Sequence, residues 1–364
     1  MSRPRIACLL AAALIAGAGC GGHGQAPHPR KAAPPPTEAP AAGASDFIGV
    51  YSDDVFFGDD AYKRATLTRE RRAGIGLIRQ PFAWDQFAKS PAPFDAFVGA
   101  AARAGIHVLP EILGPRPGAP KATGGMAPPT DLSAYAAYAT ALVRRYGPDG
   151  SFWRAHPDIP RVPIRSWQIW NEPNIRAFWA SGPDPAAYAQ LLETASAAIR
   201  KADPNAEVVA AGLPTSRLGA AAADFLEGIY RAGAKGSFDT AAVHAYAPAP
   251  AEVVARTRAL HDVIARNGDD ARLWVTEFGW GTGGDPGPLT VDPQQQAGYI
   301  ADTIRRLKAD RDALRLRGLI VFQWRDPKPF PGRRALWPYY AGLLDADGNP
   351  KPSLAAFERA ATLK

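Results

Sequence analysis

From Asp46 to the C-terminus, short apolar runs alternate with longer Ala-rich stretches whose apolar residues recur at helical spacing. The short runs are Phe47–Tyr51, Ile75–Arg79, Ile106–Pro110, Ser166–Trp170, Glu207–Ala211, Thr240–His244, Leu273–Thr276 and Leu319–Gln323. Too short for stable helices and rich in Val, Ile, Trp and Phe, they predict strands. The stretches that follow them are Asp59–Arg72, Phe94–Ala104, Leu132–Arg145, Pro185–Ala202, Ala221–Ala232, Glu252–Ala265, Pro293–Leu307 and Ser353–Ala360, and these predict amphipathic helices. Strands that each lead into a helix, repeated eight times, predict an α/β chain of the (β/α)8 or TIM-barrel type. On this reading residues 46–364 form one barrel domain, with none left over for a second.

The first 45 residues do not share the alternation. Arg3 and Arg5 precede an apolar segment from Ile6 to Ile15, and Gly17-Ala18-Gly19 leads into Cys20, which predicts an export signal over residues 1–20. Leu14-Ile15-Ala16-Gly17-Ala18-Gly19-Cys20-Gly21 resembles a bacterial lipoprotein signal, although Gly17 stands where that pattern usually has Leu. The resemblance implies lipidation of Cys20 and a membrane partner through the lipid. The expected location is the outer face of the cytoplasmic membrane or the cell surface, with secretion as the alternative. Residues 21–45, dominated by Gly, Ala and Pro around Pro34-Pro35-Pro36, predict an extended tether. His23 and His28 lack metal-site spacing and read as solvated linker residues.

The remaining composition removes several classes of function. Both cysteines, Cys8 and Cys20, lie in the leader, so the barrel has no thiol for catalysis, disulfides or zinc. The formal net charge is +7, yet no run of Lys and Arg interleaves with aromatics, and nucleic acid is not expected as a partner.

A barrel of this kind gathers its chemistry where strands end. Arg79 closes the second predicted strand, Glu111 follows the third, and Asn171 and Glu172 follow the fourth within Trp170-Asn171-Glu172-Pro173-Asn174. His244 closes the sixth with Tyr246 just beyond, Glu277 follows the seventh within Thr276-Glu277-Phe278-Gly279-Trp280, and Trp324 follows the eighth. Strands four and seven lie on opposite sides of a closed eight-stranded barrel, so two Glu side chains can face one another there.

That ordered set, with Gly342-Leu343-Leu344 and Asp347-Gly348-Asn349-Pro350-Lys351-Pro352 near the end, resembles the clan of retaining β-glycosidases built on (β/α)8 barrels (clan A). The form Ile169-Trp170-Asn171-Glu172-Pro173-Asn174 is similar to the β-xylosidase and exopolysaccharide-hydrolase branch, with a cellulase-like barrel as second choice. In related families a His often stands at the position of Glu111. The resemblance implies a glycoside hydrolase in which Glu277 is the nucleophile and Glu172 the acid and base. Arg79 and Tyr246 then hold Glu277, Asn171 binds the sugar 2-hydroxyl, and Trp324 forms the floor beneath the sugar. A carbohydrate, a β-linked polysaccharide or oligosaccharide outside the cell, is the expected partner, and the chain is expected to be a monomer. The two carboxylates supply both acid and nucleophile, so no metal and no organic cofactor is expected.

Plainer readings exist for each residue. Glu172 and Glu277 could be ion-pair partners in a barrel that binds nothing; the alternative function is a surface-tethered carbohydrate-binding barrel without catalysis, in which sugar affinity survives both substitutions and hydrolysis is absent. Arg79 could be a structural salt bridge, and His244 a core histidine. Trp280 and Trp337, together with Trp84, Trp179, Phe330 and Tyr339, could stack on sugar or simply pack. Asp345-Ala346-Asp347-Gly348-Asn349 begins like a calcium loop but carries Gly at the wrong position, and reads as a turn. Asp53, Asp54, Asp59 and Asp60 read as a solvated helix start. The Gly- and Pro-rich stretch 115–129 and the aromatic stretch 327–340 are the loops expected to wall a cleft.

Overall fold

The computed structural model describes residues 46–115, 117–118, 125–215, 218–328 and 334–362. The export signal, the tether, Cys20 and Phe330 lie outside the described residues. Eight parallel strands close into one barrel in sequence order, β1 (Ile48–Tyr51), β2 (Leu77–Ala83), β3 (His107–Leu113), β4 (Ser166–Ile169), β5 (Glu207–Pro214), β6 (Thr240–His244), β7 (Arg272–Phe278) and β8 (Leu316–Val321). Every predicted long helix is present between or after these strands. Side-chain caps start several of them: Asp59 accepts from Tyr62 N, Asp184 from Ala186 N and Ala187 N, and Asp292 from Gln294 N and Gln295 N. Among the described residues no helix is long and apolar enough to cross a membrane.

The differences from the predicted elements bear on the site. β2, β3 and β7 run past the expected ends, so Arg79, expected as a strand's last residue, and Glu111 and Glu277, expected just beyond one, all sit within strands. β8 starts and ends earlier than expected, stopping at Val321 just before a cis peptide bond between Phe322 and Gln323. Short helices at Asp53–Phe57, Trp84–Lys89 and Ser151–Ala155 were not signalled by periodicity, because one or two turns are too short to show it.

Two layers of core follow from strand alternation. Outward residues such as Ile78, Ile112, Trp167 and Val243 pack under the helices in the larger hydrophobic cluster. Inward residues Leu77, Leu109, Val209, Ala242, Trp274 and Ile320 form a separate cluster inside the barrel. Each such large, fully buried side chain contributes about 1.5–3 kcal/mol relative to exposure. Two residues further along, the same inward direction delivers Arg79, Glu111 and His244, one layer nearer the C-terminal mouth.

Beneath the apolar plug, the opposite end is closed by a polar network. The Glu207 carboxylate accepts from Ser166 Oγ, Thr240 Oγ1 and Arg272 Nη2, each at 2.6 Å, and from Arg317 Nε at 3.2 Å. Arg317 also reaches Asp46 at 2.6 Å and lies over the Trp274 ring. Despite the opposing effect of burial, these donors hold the Glu207 carboxyl below its ordinary range.

Candidate active site

The strand registers explain how the two Glu residues come to face one another. In the β6–β7 pairing Val243 is opposite Val275 but His244 is opposite Glu277, so β7 carries one extra residue there. That irregularity turns Glu277 onto the inward face. After β4, Trp170 and Glu172 adopt φ of 68° and 43°, a left-handed conformation rare for non-glycine residues and typical of functional turns. The motif holds this bend by its own contacts. Trp170 is fully buried and donates from Nε1 to Phe178 O at 2.8 Å, and Glu172 N donates to Gly212 O at 3.1 Å. Asn174 Nδ2 ties the loop to Pro214 O and Ala220 O at 3.0 and 2.9 Å.

Arg79 is the hub. Its Nε donates to Gln168 Oε1 at 2.6 Å, Nη1 to Glu277 Oε1 at 2.6 Å, and Nη2 to Asn171 Oδ1 at 2.9 Å. The same Nη2 lies 3.2 Å from Glu111 Oε2. The other oxygen of Glu277, Oε2, accepts from the Tyr246 hydroxyl and lies 3.3 Å from His244 Nδ1. His244 Nδ1 in turn lies 2.7 Å from Glu172 Oε1. Six of the predicted residues, Arg79, Asn171, Glu172, His244, Tyr246 and Glu277, thus form one connected group, and Glu111 joins it through Arg79.

The electrostatics of the two carboxyls differ. Burial, then the charge of Glu277, push the Glu172 carboxyl well above the usual range, with Arg79 opposing. Glu277 is also raised by burial, but Arg79 and the Tyr246 hydroxyl pull it back. Glu172 therefore keeps its proton to higher pH than Glu277. Burial and the Arg79 charge hold His244 well below its ordinary value, so its ring is neutral.

One carboxylate oxygen each of Glu172 and Glu277 and one ring nitrogen of His244 all lie within 4.8 Å of one another, a spacing that three metal ligands could share. The donor set fits a hydrogen-bonded acid pair better. Tyr246 and Arg79 already donate to the two oxygens of Glu277, and His244 Nε2 has no acceptor to orient the ring as a metal ligand.

The aromatic residues divide. Trp337 is half-buried at the mouth, its ring 4.9 Å from that of Tyr246. Trp280 does not reach the group: it is fully buried and donates to Ala247 O at 2.8 Å. Trp324 is likewise 1% exposed, packed behind β8 with Arg69 over its ring, and cannot floor the site. The ring beside Tyr246 in this segment is instead Phe322, half-buried between Tyr51 at 5.3 Å and Tyr246 at 6.1 Å. Trp84 and Trp179 pack in the core, Trp84 stacked on Tyr138. The acidic cluster also divides, since Asp59 caps a helix whereas Asp53 accepts from Gln80 Nε2 and is raised by burial to about 6.

Several members of the site were not singled out in the sequence. Gln168 had a signal, a polar residue two positions before Trp170 in an otherwise apolar strand, which alternation places inside the barrel. Gly212 also belongs, because a Cβ there would lie 2.0 Å from His244 Nε2. Phe322 was hidden by the choice of Trp324 in the same segment.

No protein-family profile and no curated protein sequence matches this chain. Solved structures do share the fold. A monomeric β-xylosidase from Caulobacter crescentus CB15 aligns at TM-score 0.65 and 21% identity over 90% of this chain and 70% of that one. A GH39 enzyme from Xanthomonas axonopodis pv. citri aligns at TM-score 0.65 and 19% identity over 90% and 68%. A family 17 β-1,3-glucanosyltransferase from Rhizomucor miehei aligns at TM-score 0.55 and 12% identity over 84% and 96%. The chain therefore shares the (β/α)8 barrel fold of these glycoside hydrolases.

Proposed function

We propose that this protein is a retaining glycoside hydrolase acting on a β-linked oligosaccharide or polysaccharide, with Glu277 as nucleophile and Glu172 as acid and base. The observation that carries this reading is the spacing of the pair, whose facing oxygens lie within 4.8 Å of each other. Retaining enzymes hold their carboxyls about 5–5.5 Å apart, whereas inverting ones need about 6.5–9.5 Å to admit a water. Glu277, kept ionised by Arg79 and Tyr246, attacks the anomeric carbon while Glu172 gives its proton to the departing glycosidic oxygen. A water then gives its proton to Glu172 and its oxygen to the anomeric carbon, releasing Glu277. Asn171, held by Arg79 through Oδ1, keeps its amide nitrogen for the sugar 2-hydroxyl, a contact that strengthens at the transition state. Phe322 and Trp337 are the rings available for stacking. The solved neighbours, a β-xylosidase and a β-1,3-glucanosyltransferase among them, support a carbohydrate substrate.

Export and anchoring through Cys20 belong to the same proposal, supported by the Arg3 to Cys20 sequence. Fractionation of cells making the wild type and Cys20→Ser tests that part, with loss of the protein from the membrane fraction expected for the variant.

The catalytic assignment is tested with aryl β-glycosides. Glu277→Gln should be inactive, and Glu172→Gln should still release a good leaving group slowly and form the β-glycosyl azide when azide is added. An α-configured product, or undiminished activity in either variant, contradicts it.

A further inference from the structure

Glu111 is a carboxyl bound to Arg79 that the two-carboxyl mechanism does not use. It lies inside β3, points into the barrel two positions beyond Leu109, and is 1% exposed. Its Oε2 lies 3.2 Å from Arg79 Nη2, the nitrogen that also donates to Asn171, while the opposite nitrogen of the same guanidinium holds Glu277. Its other oxygen, Oε1, has no hydrogen-bond partner. A buried carboxylate oxygen without a donor is costly unless a ligand supplies one. The Tyr51 hydroxyl, which feels the Glu111 charge, is also buried and unpartnered.

We propose that Glu111 is a third working carboxyl of the hydrolase. Its Oε1 receives a glycone hydroxyl beside the one read by Asn171, and its Oε2 divides the Arg79 charge with Glu277, so that it tunes the catalytic pair. This rests on the hydrolase reading and adds to it a residue that binds sugar and positions charge at once. Sharing of Arg79 Nη2 places Glu111 against Asn171, and therefore against the hydroxyl adjacent to the 2-hydroxyl of the glycone. A His at this position would add a donor, whereas Glu111 adds an acceptor and a negative charge.

The tuning follows from what faces Glu111. Arg79 comes from β2, Glu277 from β7, Glu172 from the loop after β4, Tyr51 from β1 with Asp53 just past it, and Tyr135 from the helix outside β3. One guanidinium serves three carboxyls. Burial first, with Glu277 and Asp53 adding to it against Arg79, pushes Glu111 up to about 7. Above that pH an ionised Glu111 helps Glu172 retain its proton, and removing its charge should let Glu172 ionise earlier.

The experiment is the pH profile of kcat/KM on an aryl β-glycoside for the full chain, Glu111→Gln and Glu111→Ala. The expected result is that both variants move the alkaline limb to lower pH by about half a unit or more. KM should rise about tenfold in Glu111→Ala and less in Glu111→Gln, which keeps an acceptor oxygen. A residue with only a structural role would lower the melting temperature and leave the limb in place. An active wild type whose limb is unmoved in both variants overturns the proposal, and Glu111→Gln, nearly isosteric, gives the answer if Glu111→Ala fails to fold. A wild type inert on every glycoside removes the hydrolase reading itself, and this inference with it.

Discussion

Arg79 on β2 donates to the Glu277 carboxylate on β7 at 2.6 Å, reaching across the barrel interior rather than to a neighbouring strand. The planar guanidinium meets Gln168, Asn171 and Glu111 at the same time, a geometry that a lysine ammonium cannot reproduce. Arg79→Lys should therefore lower kcat/KM by about a hundredfold or more, since breaking such a buried pair costs about 3–5 kcal/mol. Steady-state kinetics beside a thermal melt checks this. Retention of more than a third of wild-type kcat/KM would show that the fork geometry is dispensable.

Gly212 makes a sharper test of His244. A methyl group at this position meets the His244 ring at 2.0 Å from Nε2 and 2.5 Å from Cδ2, so Gly212→Ala must move the imidazole. Moving it breaks the 2.7 Å contact to Glu172 without touching either carboxyl. We expect kcat/KM to fall at least tenfold, with a stability loss of about 1–3 kcal/mol from overpacking. Unchanged kinetics in a folded Gly212→Ala protein would mean that His244 does not orient Glu172.

How much of this was legible beforehand depends on the signal each residue carried. The barrel was, because strand and helix periods differ and repeated eight times over the chain. Glu172, Glu277, Arg79 and His244 were, because polar residues at the ends of apolar strands have few other uses. Register was not. The extra residue in β7 that turns Glu277 inward, and the irregularity between Val209 and Gly212 in β5, leave no mark on hydrophobic alternation. Which ring faces the mouth is not legible for the same reason: Phe322 and Trp324 are two residues apart at a strand end, where regular alternation has stopped. For Trp280 the sequence leaves stacking and packing open, because a large aromatic in a loop can do either, and only its indole contact to Ala247 O shows that it packs.

Phe322 and Trp324 should separate binding from stability. Phe322 is half-buried and its ring faces the mouth between Tyr51 and Tyr246, so Phe322→Ala should raise KM about tenfold, a stacking loss of about 1.4 kcal/mol. Trp324 is buried away from the site, and Trp324→Ala should cost about 3–5 kcal/mol of stability. KM and denaturant midpoints measured for both variants decide the matter. The opposite pattern would return Trp324 to the floor of the site.

At the far end of the barrel, Glu207 predicts a pH dependence of stability that has nothing to do with catalysis. Its carboxylate is half-buried, and four donors from Ser166, Thr240, Arg272 and Arg317 hold its folded-state pKa below the ordinary glutamate value. A depressed carboxyl contributes stability that is fully present above its unfolded pKa of about 4.3 and is lost as pH falls through the folded value. Glu207→Gln removes the charge at every pH and weakens the hold on Arg272 and Arg317, a loss of about 1–2 kcal/mol near neutrality, since Arg272 is half solvated and Arg317 keeps Asp46. Denaturant unfolding of wild type and variant from about pH 7 down to about pH 3 should therefore show two curves that converge as the wild-type carboxyl takes up its proton. A gap that stays constant over that range would mean that the network acts by packing alone and that the Glu207 charge contributes nothing.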